Sequence, residues 1–322
     1  MKNIKIFATI AVATILLASA LFITSAPKNE AGPAIFTISR TNQEQTTKRL
    51  SDSKYLRFPW ALPLARIMTL RFGSIEPGGY RISQSMNARE LVIVLTSEPQ
   101  LKWITIPEGL RKEEIGERLA KELHWSNEEL EKWNTTYTAM QYDYREGVYF
   151  PDTYLIPTDE NGLDTAKRMI NRFNERFAGY PEEFTAKNIK WTTALTLASI
   201  IQREAAGPHD MPLIAGILWN RLDQNKQLEI DATVQYARGK TENGWWSPIK
   251  GSDTRSIESP FNTYLNKGLP PHPISNPGMD AIEAVLNPEA TDCIYYLHDS
   301  EGIIHCSESF AEHELNIDQY LR

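Results

Sequence analysis

Trp191 to Ala206 reads WTTALTLASIIQREAA, and its spacing sets the reading of the second half of the chain. Leu197, Ile200, Ile201 and Glu204 recur at i, i+3, i+4 and i+7, the stripe a helix turns to a core. Thr196, Ser199 and Arg203 fall on the opposite, polar side. A glutamate that only solvates the helix belongs with Arg203. Glu204 instead ends the apolar stripe, just ahead of Gly207-Pro208, which stop the helix. A carboxyl group there loses hydration, which disfavours its charged form and lifts its pKa toward neutrality. A general acid working near pH 7 needs that shift. A buried glutamate paired with a structural arginine reads equally well from the helix alone, because ion-pair networks also perturb pKa values.

The whole chain has 322 residues, room for two modest domains at about 100 to 200 residues each. Its hydrophobic fraction of 41% supports a real core. A net charge of −7 with no basic block argues against nucleic acid as a partner. Ile6 to Ala26 carries no charge over 21 residues, with Lys2 and Lys5 before it and Lys28 after it. At about 1.5 Å per residue this run spans roughly 30 Å, one bilayer core. Signal-peptide apolar regions are shorter, about 7 to 15 residues, so the expectation is a retained anchor. The two lysines put the N-terminus inside and the rest of the chain outside the cytoplasm.

Pro27 to Pro33 reads as a short linker, and Ile35 to Ser39 as a strand. Trp60 to Phe72 reads as helical behind Pro59. Two strand-turn-helix patterns follow: one whose helix begins near Asn87, and WITIPEGLRKEEIGERLAKEL with Ile115, Leu119 and Leu123 on one face. They suggest a small α+β module, either a glycan-binding element or a purely structural stalk. Tyr144 to Pro157 reads as an aromatic, proline-bearing loop or hinge. Helices then dominate, including MPLIAGILWNRLDQ with Ile214, Leu218 and Leu222 inward and a short helix for which Asp231 looks like the N-cap. Ser259 to Gly278 is a long proline-rich irregular segment of the kind that is usually functional or disordered, and Phe261, Tyr264 and Leu269 argue against disorder.

The only cysteines, Cys293 and Cys306, lie in a predicted hairpin turning at Asp299 to Gly302. That turn sets Cys306 opposite Tyr295 and leaves Cys293 a diagonal step away, awkward for a disulfide. Outside the cytoplasm a disulfide stays open to them, and two half-buried free thiols fit at least as well. VQYARGKT fails as a phosphate loop, because Val234 stands where the first glycine is needed. Serine-acyl chemistry fails too: Ser247-Pro-Ile-Lys250 and Ser252-Asp253 are crammed together, with no Lys-Thr-Gly. The histidines lack metal-ligand spacing, and His298, His305 and His313 are expected on hairpin and helix surfaces. No metal or cofactor is expected.

Carboxyl chemistry remains, with Glu146, Asp152, Glu204 and Asp231 as candidates. Asp152 and Asp231 read more readily as turn-makers or caps. A buried acid amid aromatics and amide- or hydroxyl-bearing loops points to glycoside cleavage. Trp245, Trp246, Tyr236 and Tyr264 suit sugar stacking, although core packing is the ordinary fate of any one of them.

At these residues the chain resembles the MltG (YceG-like) family of endolytic murein transglycosylases. The matching stretches are EGVYFPDTY (146–154), LASIIQREA (197–205), NRL (220–222), LEIDATVQYARG (228–239), SPFNTYLNKGLPPHPISNPG (259–278) and the C-terminal YYLHDSEGIIHCSESFAEHELN. The resemblance implies an α+β chain: a cytoplasmic tail (1–5), a transmembrane helix (6–26), a linker (27–34), a membrane-proximal region with a LysM-like module (35–157) and a lysozyme-like catalytic domain (158–322). It implies Glu204 as the acid/base, cutting the bond between N-acetylmuramic acid and N-acetylglucosamine in nascent strands with 1,6-anhydro ends, as a strand-length terminator. Asn220, Arg221, Asp231, Thr233, Tyr236, Asn262, Thr263 and Tyr264 are the expected substrate-binding residues. Nascent glycan, the cytoplasmic membrane and peptidoglycan synthases are the expected partners. Gln202 stands where many relatives carry a second glutamate, Phe261 replaces a common tyrosine and His272 a common glycine. Two rivals remain: a non-catalytic glycan-binding or scaffold protein of the same fold, and a hydrolase using Asp152 or Asp231 as second carboxylate.

Overall fold

Phe36 and Ile38 are buried along β1 (Ala34–Ile38) while Ile35 is exposed, the period-two pattern of a strand with one covered face. The computed structural model describes residues 23–39, 43–139 and 146–321. These fall into two units, one ending at Ile104 and regaining Tyr154–Glu160, the other holding Thr105–Thr153 and Asn161–Arg322. The fold is mixed α+β.

In the first unit β1 is followed by α1 (Gln43–Asp52), α2 (Ala61–Thr69), β2 (Gly78–Ile82), α3 (Ala88–Leu95) and β3 (Leu101–Thr105). The chain returns as β4 (Thr153–Pro157), completing a sheet of order β1-β2-β3-β4. β1 pairs antiparallel with β2 from Ala34↔Ile82 to Ile38↔Gly78, and β2 meets β3 antiparallel at Gly79↔Leu101. Asn87 starts α3 with a capping box: its side chain accepts the Glu90 N–H, and the Glu90 carboxylate accepts that of Asn87. Leu50, Leu62, Tyr80, Ile82, Leu91 and Leu95 fill the core, and Ile23 is buried with them.

The expected membrane span, Ile6 to Ala26, lies almost wholly outside the described residues. Among the described residues no helix is long and apolar enough to cross a membrane. The expected linker is tied down: Lys28 N–H bonds the Gln84 carbonyl, and Ser83 Oγ donates to that of Ala31. The two strand-turn-helix patterns part company. β2, α3 and most of β3 belong to the first unit, whereas the second helix, α4 (Lys112–Leu123), belongs to the other.

The second unit continues with α5 (Asn127–Lys132), which widens into a π turn at Trp133–Tyr137, then α6 (Gly162–Phe177), α7 (Tyr180–Ala186), α8 (Trp191–Glu204), α9 (Met211–Asp223), α10 (Asp231–Arg238), α11 (Asp253–Ser256) and α12 (Met279–Leu286). The hairpin β5 (Tyr295–His298) and β6 (Ile304–Ser307) and the last helix, α13 (Phe310–Tyr320), close the chain. The 144–157 stretch is no open hinge where it is described. Glu146, Val148, Tyr149 and Phe150 are buried, and Thr153 onward is strand.

α8 is the centre of this unit, and every residue from Ala194 to Ile201 is buried. Thr196 and Ser199, expected on a polar face, are inside as well. The proline-rich segment covers them: Ser199 Oγ accepts the Ile274 N–H at 3.0 Å, and Ser275 Oγ donates to the Ser199 carbonyl at 3.0 Å. A small hydroxyl with a hydrogen-bond partner is inexpensive to bury, so polarity alone does not mark a wet face.

Cys293 and Cys306 form a disulfide, where free thiols had fitted at least as well. Cys306 pairs with Tyr296 in the ladder rather than with Tyr295. Cys293 lies just outside β5, so the diagonal-step geometry does not apply, and a Cα–Cα distance of 5.8 Å suits the bridge. Closing a loop of 13 residues' separation is worth about 3 kcal/mol on the chain-entropy account. Cys306→Ser should therefore lower Tm by several degrees, and reductant should do the same to the parent. Superimposable melts of oxidised and reduced protein would show that the bridge adds nothing.

Candidate active site

α8 ends at Glu204 because the next residue leaves helical geometry and a capping carboxylate takes over. Asp210 accepts the N–H groups of Ala206 (2.9 Å) and Gly207 (3.2 Å), folding the chain back after the helix. His298 Nε2, on β5, lies 2.7 Å from the same carboxylate. Burial works against the charge of Asp210, but these hydrogen bonds outweigh it and hold its pKa below the usual value. The turn thereby fixes where the Glu204 side chain emerges.

It emerges into a cleft of about 640 Å³. Tyr296, two residues before His298 on the same strand face, donates its hydroxyl to Glu204 Oε2 at 2.8 Å. Burial raises the Glu204 pKa; the Tyr296 hydrogen bond opposes that, the charge of Asp231 adds to it, and His298 and Arg203 pull it back. The Tyr296 pKa is pushed well above its ordinary value by burial and by Glu204, so the phenol stays a donor. One wall carries Arg203, its guanidinium 3.9 Å over the Trp246 ring, and the Trp246 indole N–H is held by Glu114 at 2.7 Å. Asp231 and Tyr264 also line the cleft, the Tyr264 hydroxyl donating to Asp231 Oδ1 at 2.7 Å. Asp231 is the first residue of α10 rather than its cap, a place taken by Ile230, so its carboxylate is free to meet Tyr264.

Of the expected substrate-binding residues, Arg221, Asp231 and Tyr264 share the cleft lining with Glu204. Arg221 is heavily committed: it donates to the Gln227 and Ile294 carbonyls and pairs with Glu229. The other five spend their side chains on the scaffold behind the cleft. Asn220 donates to the Thr291 and Cys293 carbonyls, where Gly216 lets α9 approach; a Cβ there would sit 2.2 Å from the Glu289 carbonyl oxygen. Asn262 donates to the Thr254 and Ile257 carbonyls and accepts the Tyr264 N–H, setting the loop that presents Tyr264. Thr233 and Thr263 bond each other, and Thr263 Oγ1 accepts the Ile230 N–H that precedes Asp231. Tyr236 packs under Arg111 and against Phe261 and His272.

The remaining acids stand elsewhere. Asp152 pairs with Arg172 at 2.6 Å and does not line the cleft. Glu146 is fully buried, accepting from Lys112 N and Asn276 Nδ2, and burial drives its pKa well up. Gln202 leaves α8 on another side, where its Oε1 accepts the Gly278 N–H. The histidines expected on surfaces are partnered: His298 with Asp210, His305 with Asp299, and His313 against Tyr295 in the cleft wall. Among the described residues no group of acids, histidines and cysteines is placed to hold a metal.

Sequence reasoning missed Tyr296, Arg203 and His298. The Tyr-x-His alternation in YYLH was the available signal, since it sets both side chains on one strand face.

Burial holds the folded Glu204 pKa above its unfolded value of about 4.3, so its ionisation above that pH disfavours folding. Glu204→Gln removes that penalty. The variant should melt a few degrees higher at pH 8 and lose the advantage as pH falls toward 4. Melts across this range check it; a variant less stable at pH 8 would mean that the carboxylate is a net stabiliser.

A family model described as the YceG-like family matches residues 36–319. A Bacillus subtilis (strain 168) protein named endolytic murein transglycosylase is 30% identical over 268 residues, covering 76% of this chain and 73% of that protein. A Streptococcus pneumoniae (strain D39) protein of the same name is 28% identical over 284 residues, 78% of this chain, and the chain spans about half (51%) of its length. A crystal structure of a yceG-like protein from Listeria monocytogenes superposes with a TM-score of 0.61 at 26% identity, covering 89% of this chain and 99% of that one.

Proposed function

The chain belongs to the YceG-like family, and from that premise we propose that it is a membrane-anchored endolytic transglycosylase of peptidoglycan. On this reading it cuts between N-acetylmuramic acid and N-acetylglucosamine within nascent strands and so ends their elongation. The observation that carries the reading is Glu204: a carboxyl with a raised pKa, opening into a cleft and hydrogen-bonded by a phenol that stays protonated.

A single carboxyl suffices for this chemistry. Neutral Glu204 gives its proton to the glycosidic oxygen as the C1–O4 bond breaks, leaving the departing N-acetylglucosamine with a free 4-hydroxyl. Positive charge then develops at the muramoyl C1, which the charge of Asp231 favours. The muramoyl 6-hydroxyl oxygen supplies the electron pair for the new C1–O6 bond, and its proton returns to the Glu204 carboxylate. No water is consumed, and the acid is restored. The tethered hydroxyl outcompetes bulk water by its high effective concentration. Tyr296 holds Oε2 and stabilises the carboxylate while it waits for that proton. The uncharged run from Ile6 to the residue before Ile23, with Lys2 and Lys5 inside, would keep this site at the outer face of the cytoplasmic membrane.

Glu204→Gln should cost about 10² to 10⁴-fold in strand cleavage, since an amide can neither give nor take the proton. Mass analysis of digested glycan checks the reaction type, because anhydro ends lack one water relative to reducing ends. Reducing ends would make the protein a hydrolase, and undiminished cleavage by Glu204→Gln would move the acid elsewhere.

The pH profile tests the environment of the acid. Activity falls as pH rises through the Glu204 pKa, because the acid form starts the reaction. Tyr296→Phe removes a bond that lowers this pKa, so the fall should move to higher pH. Asp231→Asn removes a charge that raises it, so the fall should move to lower pH. Equal profiles for the three proteins would detach the titration from Glu204.

A further inference from the structure

From Ser53 to Ile75 the first unit has no acidic residue, although the whole chain carries a net charge of −7. The stretch holds Lys54, Arg57, Arg66 and Arg71, and all but Arg66 are exposed. It also concentrates exposed apolar side chains: Trp60 (45%), Ile67 (58%), Met68 (55%), Leu70 (79%) and Phe72 (64%). Trp60 stacks on Phe58, whereas Ile67, Met68, Leu70 and Phe72 are not among the residues of the buried core. Scattered exposed apolar residues are ordinary, but five within 13 positions of an acid-free basic segment concentrate exposed apolar surface on one element and its ends.

The patch is built rather than loose. Leu70 caps α2 in the left-handed region at φ 54°, where glycine costs less. Buried Arg66 holds the turn, its guanidinium donating to the Arg71 carbonyl (3.3 Å) and the Gly73 carbonyl (2.5 Å). A leucine in a position suited to glycine, exposed and fixed by a buried arginine, needs an occupant outside the unit.

The N-terminal segment says which occupant. Ile23 lies in the core of this unit, and Arg57 Nη1 donates to Ser25 Oγ at 3.1 Å. The uncharged run still available to a bilayer is therefore Ile6 to the residue before Ile23. That is about 17 residues or roughly 26 Å, the short end of what spans a bilayer. No spacer separates that run from the unit, and a short span draws its flanks toward the lipid.

We propose that the turn ending α2, with Trp60 and the exposed Lys54, Arg57 and Arg71, seats the first unit on the anionic headgroup layer of the bilayer that its N-terminal segment enters. Tryptophan and apolar side chains sink into the headgroup boundary, and the cations pair with lipid phosphates. This rests on the anchoring reading above, and fixes the orientation of the first unit at the membrane.

The test uses the full chain in vesicles of phosphatidylglycerol and phosphatidylethanolamine, spin-labelled at Leu70→Cys. Leu70 is exposed, so the label leaves the fold intact. The label should be more accessible to oxygen than to a water-soluble nickel chelate. Greater nickel accessibility in carbonate-resistant protein overturns the proposal while leaving the anchor in place. A label shielded from both reagents, or broadened by a neighbouring label, overturns it in favour of a protein partner or a second copy. If carbonate strips the chain, the anchoring reading has failed, and flotation without carbonate decides the patch. Binding to anionic vesicles that Leu70→Glu/Phe72→Glu lowers at least tenfold supports it, and no binding overturns it.

Discussion

The hydrogen bond from Tyr296 to Glu204 joins the two halves of the site, and the surrounding structure serves to hold its ends in place. Burial alone disfavours the charged form of Glu204 and raises its pKa. A phenol at 2.8 Å gives the carboxylate a partner without adding a charge. That hydrogen bond opposes the effect of burial and favours the ionised form.

Each end of that bond is fixed by different means. The helix end rests on the burial of α8 from Ala194 to Ile201, on the proline-rich segment bonded to Ser199, and on Asp210 capping the turn beyond it. The strand end rests on the hairpin, the Cys293–Cys306 bridge and the carbonyls of Cys293 and Ile294, bound by Asn220 and Arg221 of α9. The Asp210–His298 contact ties the turn after α8 to β5. Much of the polar content of the family-like motifs is thus construction. Asn262, Thr233 and Thr263 set backbone and loops so that Asp231 and Tyr264 reach the cleft, and Asn220 holds the carbonyls that lead into β5.

The opposite wall follows the same logic. Trp246 could have been a mobile surface aromatic, but Glu114 on α4 holds its indole and Arg203 stacks on its ring. Sugar recognition favours flat, rigid apolar faces with a few fixed polar groups beside them, and this wall has that composition.

Local pattern determined a good deal of this protein. The stripe ending at Glu204, the capping box at Asn87 and the inward face of Ile115, Leu119 and Leu123 all follow from spacing, because helices repeat over three or four residues. Other features depended on groups far apart in the chain. Tyr296 lies 92 positions from Glu204, and no local rule states that a strand tyrosine will meet a helix-end acid. Thr196 and Ser199 looked solvent-facing because periodicity reports polarity, whereas burial depends on what else packs there; here it is a segment some 75 residues on. The choice between a disulfide and free thiols stays open in the sequence for a related reason, since Cys293 leaves the strand ladder before its register can place it. Sequence by itself determined that Glu204 ends a core-facing helix stripe, because helical periodicity fixes which side chains share a face. Tertiary structure decided which donor tunes that acid and which polar residues face the cleft, because those depend on contacts that only the folded chain creates.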